Sequence, residues 1–185
     1  MVRAAQQGDP AAMEELIAGS YRAAYTLALR LMGNPDDAAE ATQEAYIRMT
    51  RGLKKFREVG AFPTWLFKIV SNVCMTEMRR RSRRDVPTEI EAMEDPTPLD
   101  AEDEAIGRMF WGELERSVQD LPEVYRSVVV LRDVYGMSGE ETGEILGISS
   151  GAVKVRLHRA RKRLRDELVE HFPEWASGDD DRESA

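Results

Sequence analysis

The stretch Ser138-Gly139-Glu140-Glu141-Thr142-Gly143-Glu144-Ile145-Leu146-Gly147-Ile148-Ser149-Ser150 holds two helix starts and a helix stop. Ser138 and Glu141 have the spacing of a capping box, in which each side chain accepts from the other's backbone N–H. A short helix runs from there to Leu146. Gly147 suits a tight turn because it lacks a Cβ, and Ser149 is a fresh N-cap. A longer helix starts at Ser150. Short helix, glycine-containing turn and longer helix make a helix-turn-helix.

At 100° per residue, with Val153 at zero, Leu157, Ala160 and Leu164 fall at about 40°, 340° and 20°, a narrow core seam. Val155, His158 and Arg159 fall at about 200°, 140° and 240°, away from it. From Ile145 to Arg165 no residue is acidic, whereas Lys154, Arg156, Arg159, Arg161, Lys162, Arg163 and Arg165 are basic. A helix fits the major groove, where Arg and Lys read guanine and hold phosphates. A basic solvated helix is the plainer alternative, and the preceding turn favours DNA. His158 reads as a surface or phosphate-facing residue rather than a catalytic one.

Working outward, Ala105, Ile106, Met109, Phe110, Leu114 and Val118 mark one amphipathic helix. Leu121-Pro122 begins another, with Tyr125, Val128, Val129 and Leu131 inward. Before this unit the chain changes character. Residues 86–107 hold eight acidic side chains and no basic one, and the linker carries three prolines. Such a segment cannot bury enough surface to offset its ordering entropy and reads as a flexible tether. Residues 173–185 form a short acidic tail, five acids against one base, that is expected to fray. The net charge of −8 therefore hides a first block, residues 1–85, with 14 basic and 10 acidic groups. Screening limits charge to about 8–10 Å, so local clusters decide binding, not the total.

The N-terminal block also reads as helical. Asp9-Pro10 is a capping carboxylate followed by a proline in the first turn, and Met13, Leu16, Ile17, Ala24, Ala28, Leu31 and Met32 recur at helical steps. Gly33 ends that helix, and Asn34-Pro35-Asp36-Asp37 starts the next, with acids favourable to its dipole. Ala38, Ala41, Thr42, Ala45, Tyr46, Met49 and Leu53 mark its buried side. Asp37, Glu40, Glu44 and Tyr46 form a polar-aromatic strip that alone is an ordinary wet face. After a loop at 57–61, a third helix carries Trp65, Leu66, Ile69, Val70 and Val73 inward and ends in Arg79-Arg80-Arg81-Ser82-Arg83-Arg84. So dense a patch signals phosphate contact as well as dipole complementation. Phe62, just ahead of the helix, is either core or an exposed ring able to stack on an unpaired base.

Other function classes find little support. The 185 residues contain one cysteine, Cys74, and two histidines, His158 and His171, which excludes a disulfide framework and makes a zinc enzyme improbable. No phosphate loop or nucleophile–base pair is legible, so no enzyme and no cofactor are expected. No apolar run approaches the roughly 20 residues of a membrane span, and the start lacks a secretory signal, so a cytoplasmic location is expected. The fold class is all-α: two small helical domains, residues 8–84 and 105–172, joined by a flexible acidic linker at 85–104 and followed by the tail at 173–185.

Together these segments resemble a bacterial sigma factor of the extracytoplasmic-function (ECF) type. Asp37-Ala38-Ala39-Glu40-Ala41-Thr42-Gln43-Glu44-Ala45-Tyr46 is similar to the helix that grips the RNA polymerase clamp. Phe62-Pro63-Thr64-Trp65-Leu66 through Asn72 to Arg79-Arg80 resembles the segment that melts and reads the −10 promoter element. Ile145–Ser149 followed by Val153–Arg161 resembles the −35-reading helix-turn-helix. Thr142-Gly143 departs from an apolar-Ala pair, and Ala39 and Thr42 stand where an acid and a Val are often seen.

The resemblance implies a non-enzymatic initiation factor whose partners are core polymerase (clamp and flap), promoter DNA and an anti-sigma protein. Ser150, Lys154, Val155, Arg156, His158, Arg159 and Arg161 would meet the −35 element. Phe62, Trp65, Lys68, Asn72, Arg79, Arg80 and Arg83 would meet the −10 element, with a flipped base captured by the loop at 57–64. Asp37, Glu40, Gln43, Glu44 and Tyr46 would bind core polymerase. The linker would imitate a polyanion in the polymerase channels or serve as a solvated tether. Cys74 reads as core, leaving any redox sensing to the partner. The rival reading is a stand-alone helix-turn-helix regulator with an N-terminal sensory or dimerisation domain, which leaves the arginine cluster and acidic linker unassigned.

Overall fold

Local capping chemistry sets the element boundaries of this computed structural model, which describes residues 1–57, 62–82 and 103–172. The Asp9 carboxylate accepts from the Ala11 and Ala12 amides at 3.0 and 3.2 Å, and Pro10 opens a helix that ends at Gly33 with φ 71°. Asn34 Oδ1 accepts from the Asp37 amide at 3.0 Å and starts the next helix on Pro35. The elements are α1 (Val2–Gln6), α2 (Pro10–Met32), α3 (Pro35–Leu53), α4 (Phe62–Ser82), α5 (Asp103–Asp120) and α6 (Glu123–Val129). A π-turn at Val130–Val134 follows, then α7 (Gly139–Leu146) and α8 (Ser150–His171). No strand occurs among the described residues, as the all-α expectation required.

The chain divides into two compact units. In the first, α2, α3 and α4 pack pairwise around Leu27, Leu31, Met49, Leu53, Leu66 and Val70, all at most 1% exposed. Burying each such side chain stabilises by about 1.5–3 kcal/mol. Trp65 stacks on Phe56 with ring centroids 4.5 Å apart and lies against Gly52, where an added Cβ would meet the indole at 3.1 Å. Cys74 is fully buried, as its apolar surroundings on the helix implied.

One element of this unit escaped the sequence reading, α1. It packs on α2, and the Gln6 amide nitrogen donates to the carbonyls of Leu53 (3.0 Å) and Phe56, tying the N-terminus to the end of α3.

In the second unit α5 and α6 pack on α8 and on each other. Pro122 is the N-cap of α6, where Leu121-Pro122 was expected to begin it. The helix then widens into the π-turn, where the Tyr135 amide reaches back to the Val130 carbonyl at 3.1 Å. The linker at 85–104 lies outside the described residues up to 102. The tail at 173–185, the loop at 58–61, Arg83 and Arg84 lie outside them altogether. No described helix is long and apolar enough to cross a membrane.

Candidate nucleic-acid interface

The helix-turn-helix is built as its residues dictate. Ser138 N–H donates to Glu141 at 2.9 Å and Glu141 N–H to the Ser138 hydroxyl at 3.1 Å, the reciprocal capping box. Gly147 adopts φ 69°, and the Ile148 amide reaches back to the Gly143 carbonyl at 3.0 Å, closing α7 with a Schellman turn. A Cβ on Gly143 would stand 2.7 Å from the Ile148 carbonyl, so this glycine permits the close crossing at the turn. Ser149 then accepts from the Ala152 amide at 3.2 Å and launches α8.

On α8 the seam Val153, Leu157, Ala160 and Leu164 is buried, as the angular positions demanded. Ser150, Lys154, Val155, His158 and Arg159 are exposed and Arg156 is half-buried. Val155 is 51% exposed, an apolar tip among cations, suited to a thymine methyl. Arg161 differs from the other basic residues. Its Nε and Nη2 donate to the two Asp133 carboxylate oxygens at 2.9 and 2.6 Å, so the sequence-based reading of Arg161 as an open DNA contact does not describe this geometry. Arg163 lies over the Tyr125 ring at 5.0 Å and is likewise occupied.

On α4, Trp65, Lys68, Asn72 and Arg79 lie within about 60° of one another on the helical wheel, a single stripe. Asn72, Arg79 and Arg80 are exposed, and Trp65 and Lys68 half-buried. Arg80 is paired with Glu77 at 2.8 Å. Phe62 requires correction. It is the first residue of α4, only 5% exposed, and its ring packs beside Phe56 and Trp65. Its face belongs to the core and offers no stacking surface, because three aromatics close together bury more apolar area than one left in water.

On α3, Glu40 and Gln43 are exposed and Glu44 is half-buried, paired with Arg48 at 2.7 Å. Asp37 and Tyr46 do not belong to that wet face. Asp37 is 6% exposed and ion-paired with Arg81, and Tyr46 is 8% exposed. The Tyr46 hydroxyl meets Ser20 at 2.8 Å and its ring stacks on Tyr21. Burial raises the Tyr46 phenol above its usual pKa, against the Ser20 hydrogen bond. Ile47, 45% exposed and one turn beyond Gln43, extends the outward stripe. The sequence reading missed it, although its i+4 and i+7 spacing from Gln43 and Glu40 was the available signal.

The second unit also holds a charge that the sequence hid. Arg126 is 5% exposed and donates to the Gln119 carbonyl at 2.7 Å, joining α6 to the end of α5. Burial lowers its pKa, opposed by Glu123 and Asp120.

Comparison with known proteins matches both units. Residues 8–84 match the Sigma-70 region 2 family and residues 111–164 match Sigma-70, region 4. The chain is 38% identical over 178 residues to the ECF RNA polymerase sigma factor SigE of Mycolicibacterium smegmatis, covering 91% of this chain and 67% of that one. It is 30% identical to the ECF sigma factor SigW of Bacillus subtilis, covering 90% and 94%. The fold resembles the sigma factor RpoE of Bartonella quintana, solved with the anti-sigma factor NepR, with a TM-score of 0.64 at 23% identity over 84% of this chain and 95% of that one. It also resembles CnrH, solved with the cytosolic domain of CnrY, with a TM-score of 0.56 at 24% identity over 90% and 94%. Two helical units of the sigma-70 type, in this order along one chain and matched almost end to end by these relatives, place the protein in the family of ECF RNA polymerase sigma factors.

Proposed function

We infer that this chain directs core RNA polymerase to promoters through both units. The outward stripe of α3, Glu40, Gln43, Glu44 and Ile47, docks on the polymerase clamp. The stripe Trp65, Lys68, Asn72 and Arg79 on α4, with Arg80 beside it and Arg83 beyond, contacts the −10 element. Lys154, Val155, Arg156, His158 and Arg159 on α8, with Ser150 at its N-terminus, contact the −35 element. The second unit also meets the polymerase flap. The chain acts by binding, with no chemistry of its own, in the cytoplasm where polymerase works.

A single observation carries this reading: α8, the second helix of the helix-turn-helix, buries one apolar seam and leaves a basic face open. Phosphate contacts position such a helix and base contacts specify the site. Polymerase adds binding free energy through linkage, so the chain on core polymerase holds promoter DNA more tightly than the free chain does. An anti-sigma partner controls the chain by occupying these surfaces, in keeping with the partner-bound forms of RpoE and CnrH.

Gel filtration with sigma-free core polymerase tests the assignment. The chain co-elutes with core, and Glu40→Arg with Gln43→Arg weakens that association at least tenfold. Failure to associate, together with tight binding of a palindromic duplex as a dimer, would establish a stand-alone regulator instead.

A further inference from the structure

We propose that Asp133 withholds Arg161 from DNA, acting as a built-in brake on the phosphate affinity of α8. This rests on the reading of α8 as the DNA-contacting helix and assigns a role to a residue outside it.

Arg161 lies at about 80° on the wheel that puts the core seam near zero and the open face at 140–240°. It therefore stands on the shoulder of the DNA-facing surface, 61% exposed. Among the described residues, Lys154 and Arg159 have no acidic partner, whereas both ends of the Arg161 fork are held by one carboxylate at 2.6 and 2.9 Å. The carboxylate is presented by a rigid mount. Val130 and Leu131 are fully buried, and the Arg132 guanidinium donates to the Met137 carbonyl and closes the turn. The Met137 amide returns to the Leu131 carbonyl at 2.9 Å. A π-turn shifts side-chain register against a regular helix, and such turns recur at functional positions. Here the widened turn carries Asp133.

Solvent-exposed ion pairs contribute little to stability, so the fold does not depend on this one. Its effect on DNA is larger. A bidentate carboxylate occupies the Nε–Nη2 fork, the edge that would otherwise engage a phosphate, and offsets the positive charge. Each additional phosphate contact steepens the dependence of log K on log salt by about 0.9. Freeing Arg161 therefore raises affinity about eightfold at 0.1 M monovalent salt, converging towards 1 M.

Binding of the full chain to a short labelled random-sequence duplex, titrated across salt, reads this directly. Asp133→Asn tightens binding about eightfold at 0.1 M and steepens the slope by about 0.9. Adding Arg161→Gln to that variant abolishes the gain. Glu15→Gln, which makes the same charge change on the exposed side of α2, does not reproduce it. Thermal melting verifies that each variant folds. If Asp133→Asn does not fold, Arg161→Lys keeps the charge, loses the fork and shifts affinity in the same direction. An unchanged slope in the folded variant, a gain that survives loss of Arg161, or an equal gain from Glu15→Gln overturns the proposal. Lys154→Ala and Arg159→Ala run in parallel. If they weaken binding while Asp133→Asn changes nothing, only the brake is wrong. If they too change nothing, the reading of α8 falls and the brake falls with it.

Discussion

Asp37, in the first turn of α3, is ion-paired with Arg81, in the last turn of α4, so the acid at one helix start holds the cation at another helix end. The Asp37 side chain is 7% exposed and that of Arg81 39%. Removing the arginine leaves a buried carboxylate without its counter-charge, which costs more than the pair itself contributes. Partial exposure of Arg81 reduces that cost. Arg81→Ala lowers stability by about 1–3 kcal/mol and Asp37→Asn by less, measured by urea denaturation followed by circular dichroism. Equal losses from the two substitutions contradict this ordering.

Phe62 separates a core role from a DNA-stacking role. Its burial against Phe56 and Trp65 predicts that Phe62→Ala costs about 3–5 kcal/mol and Phe62→Leu less than about 1.5 kcal/mol. A stacking surface would instead leave the denaturation midpoint unchanged and impair only promoter opening.

Cys74 is fully buried, and desolvation pushes its thiol pKa up to about 12. The thiolate is the reactive form, so native protein at neutral pH resists alkylation by iodoacetamide, whereas urea-unfolded chain reacts at the rate of a free thiol. Rapid labelling of the native protein would place Cys74 outside the core.

His171 gives the second unit a pH dependence. Its Nδ1 lies 3.0 Å from the Glu167 carbonyl and its Nε2 3.3 Å from Glu113. The Glu167 carbonyl bond and neighbouring Glu113, Glu170 and Glu167 raise its pKa. Because the folded value lies above the unfolded value near 6.5, the contribution is complete below pH 6.5. It disappears as pH rises through the folded value. His171→Ala therefore lowers the melting temperature slightly at pH 5.5 and not at pH 8.5; a greater loss at pH 8.5 has the wrong sign.

What was legible followed short-range chemistry. The caps at Asp9, Asn34, Ser138 and Ser149, the stop at Gly33 and the seam Val153–Leu157–Ala160–Leu164 each depend on residues a few positions apart. Their outcome is therefore written locally. What was missed depends on distant partners. Asp37 reads as a wet helix start until Arg81 arrives from α4, and Tyr46 belongs to both a polar strip and a core seam until Ser20 and Tyr21 settle it. Arg161 reads as another cation until the π-turn presents Asp133 to it. No capping or periodicity signal announces that turn. The short α1 falls below the length at which periodicity is informative, and Gln6 holds it through carbonyls remote in sequence.

Promoter-directed initiation is the central claim, and one reconstituted reaction tests it most directly. The purified chain is combined with sigma-free core polymerase on fragments of the source genome, and transcripts are mapped at their 5′ ends. The account predicts discrete start sites that require the chain and disappear when Lys154 and Arg159 are both replaced by alanine. Start sites unaffected by that double substitution, or none at all alongside tight polymerase-independent binding to duplex DNA, would contradict it.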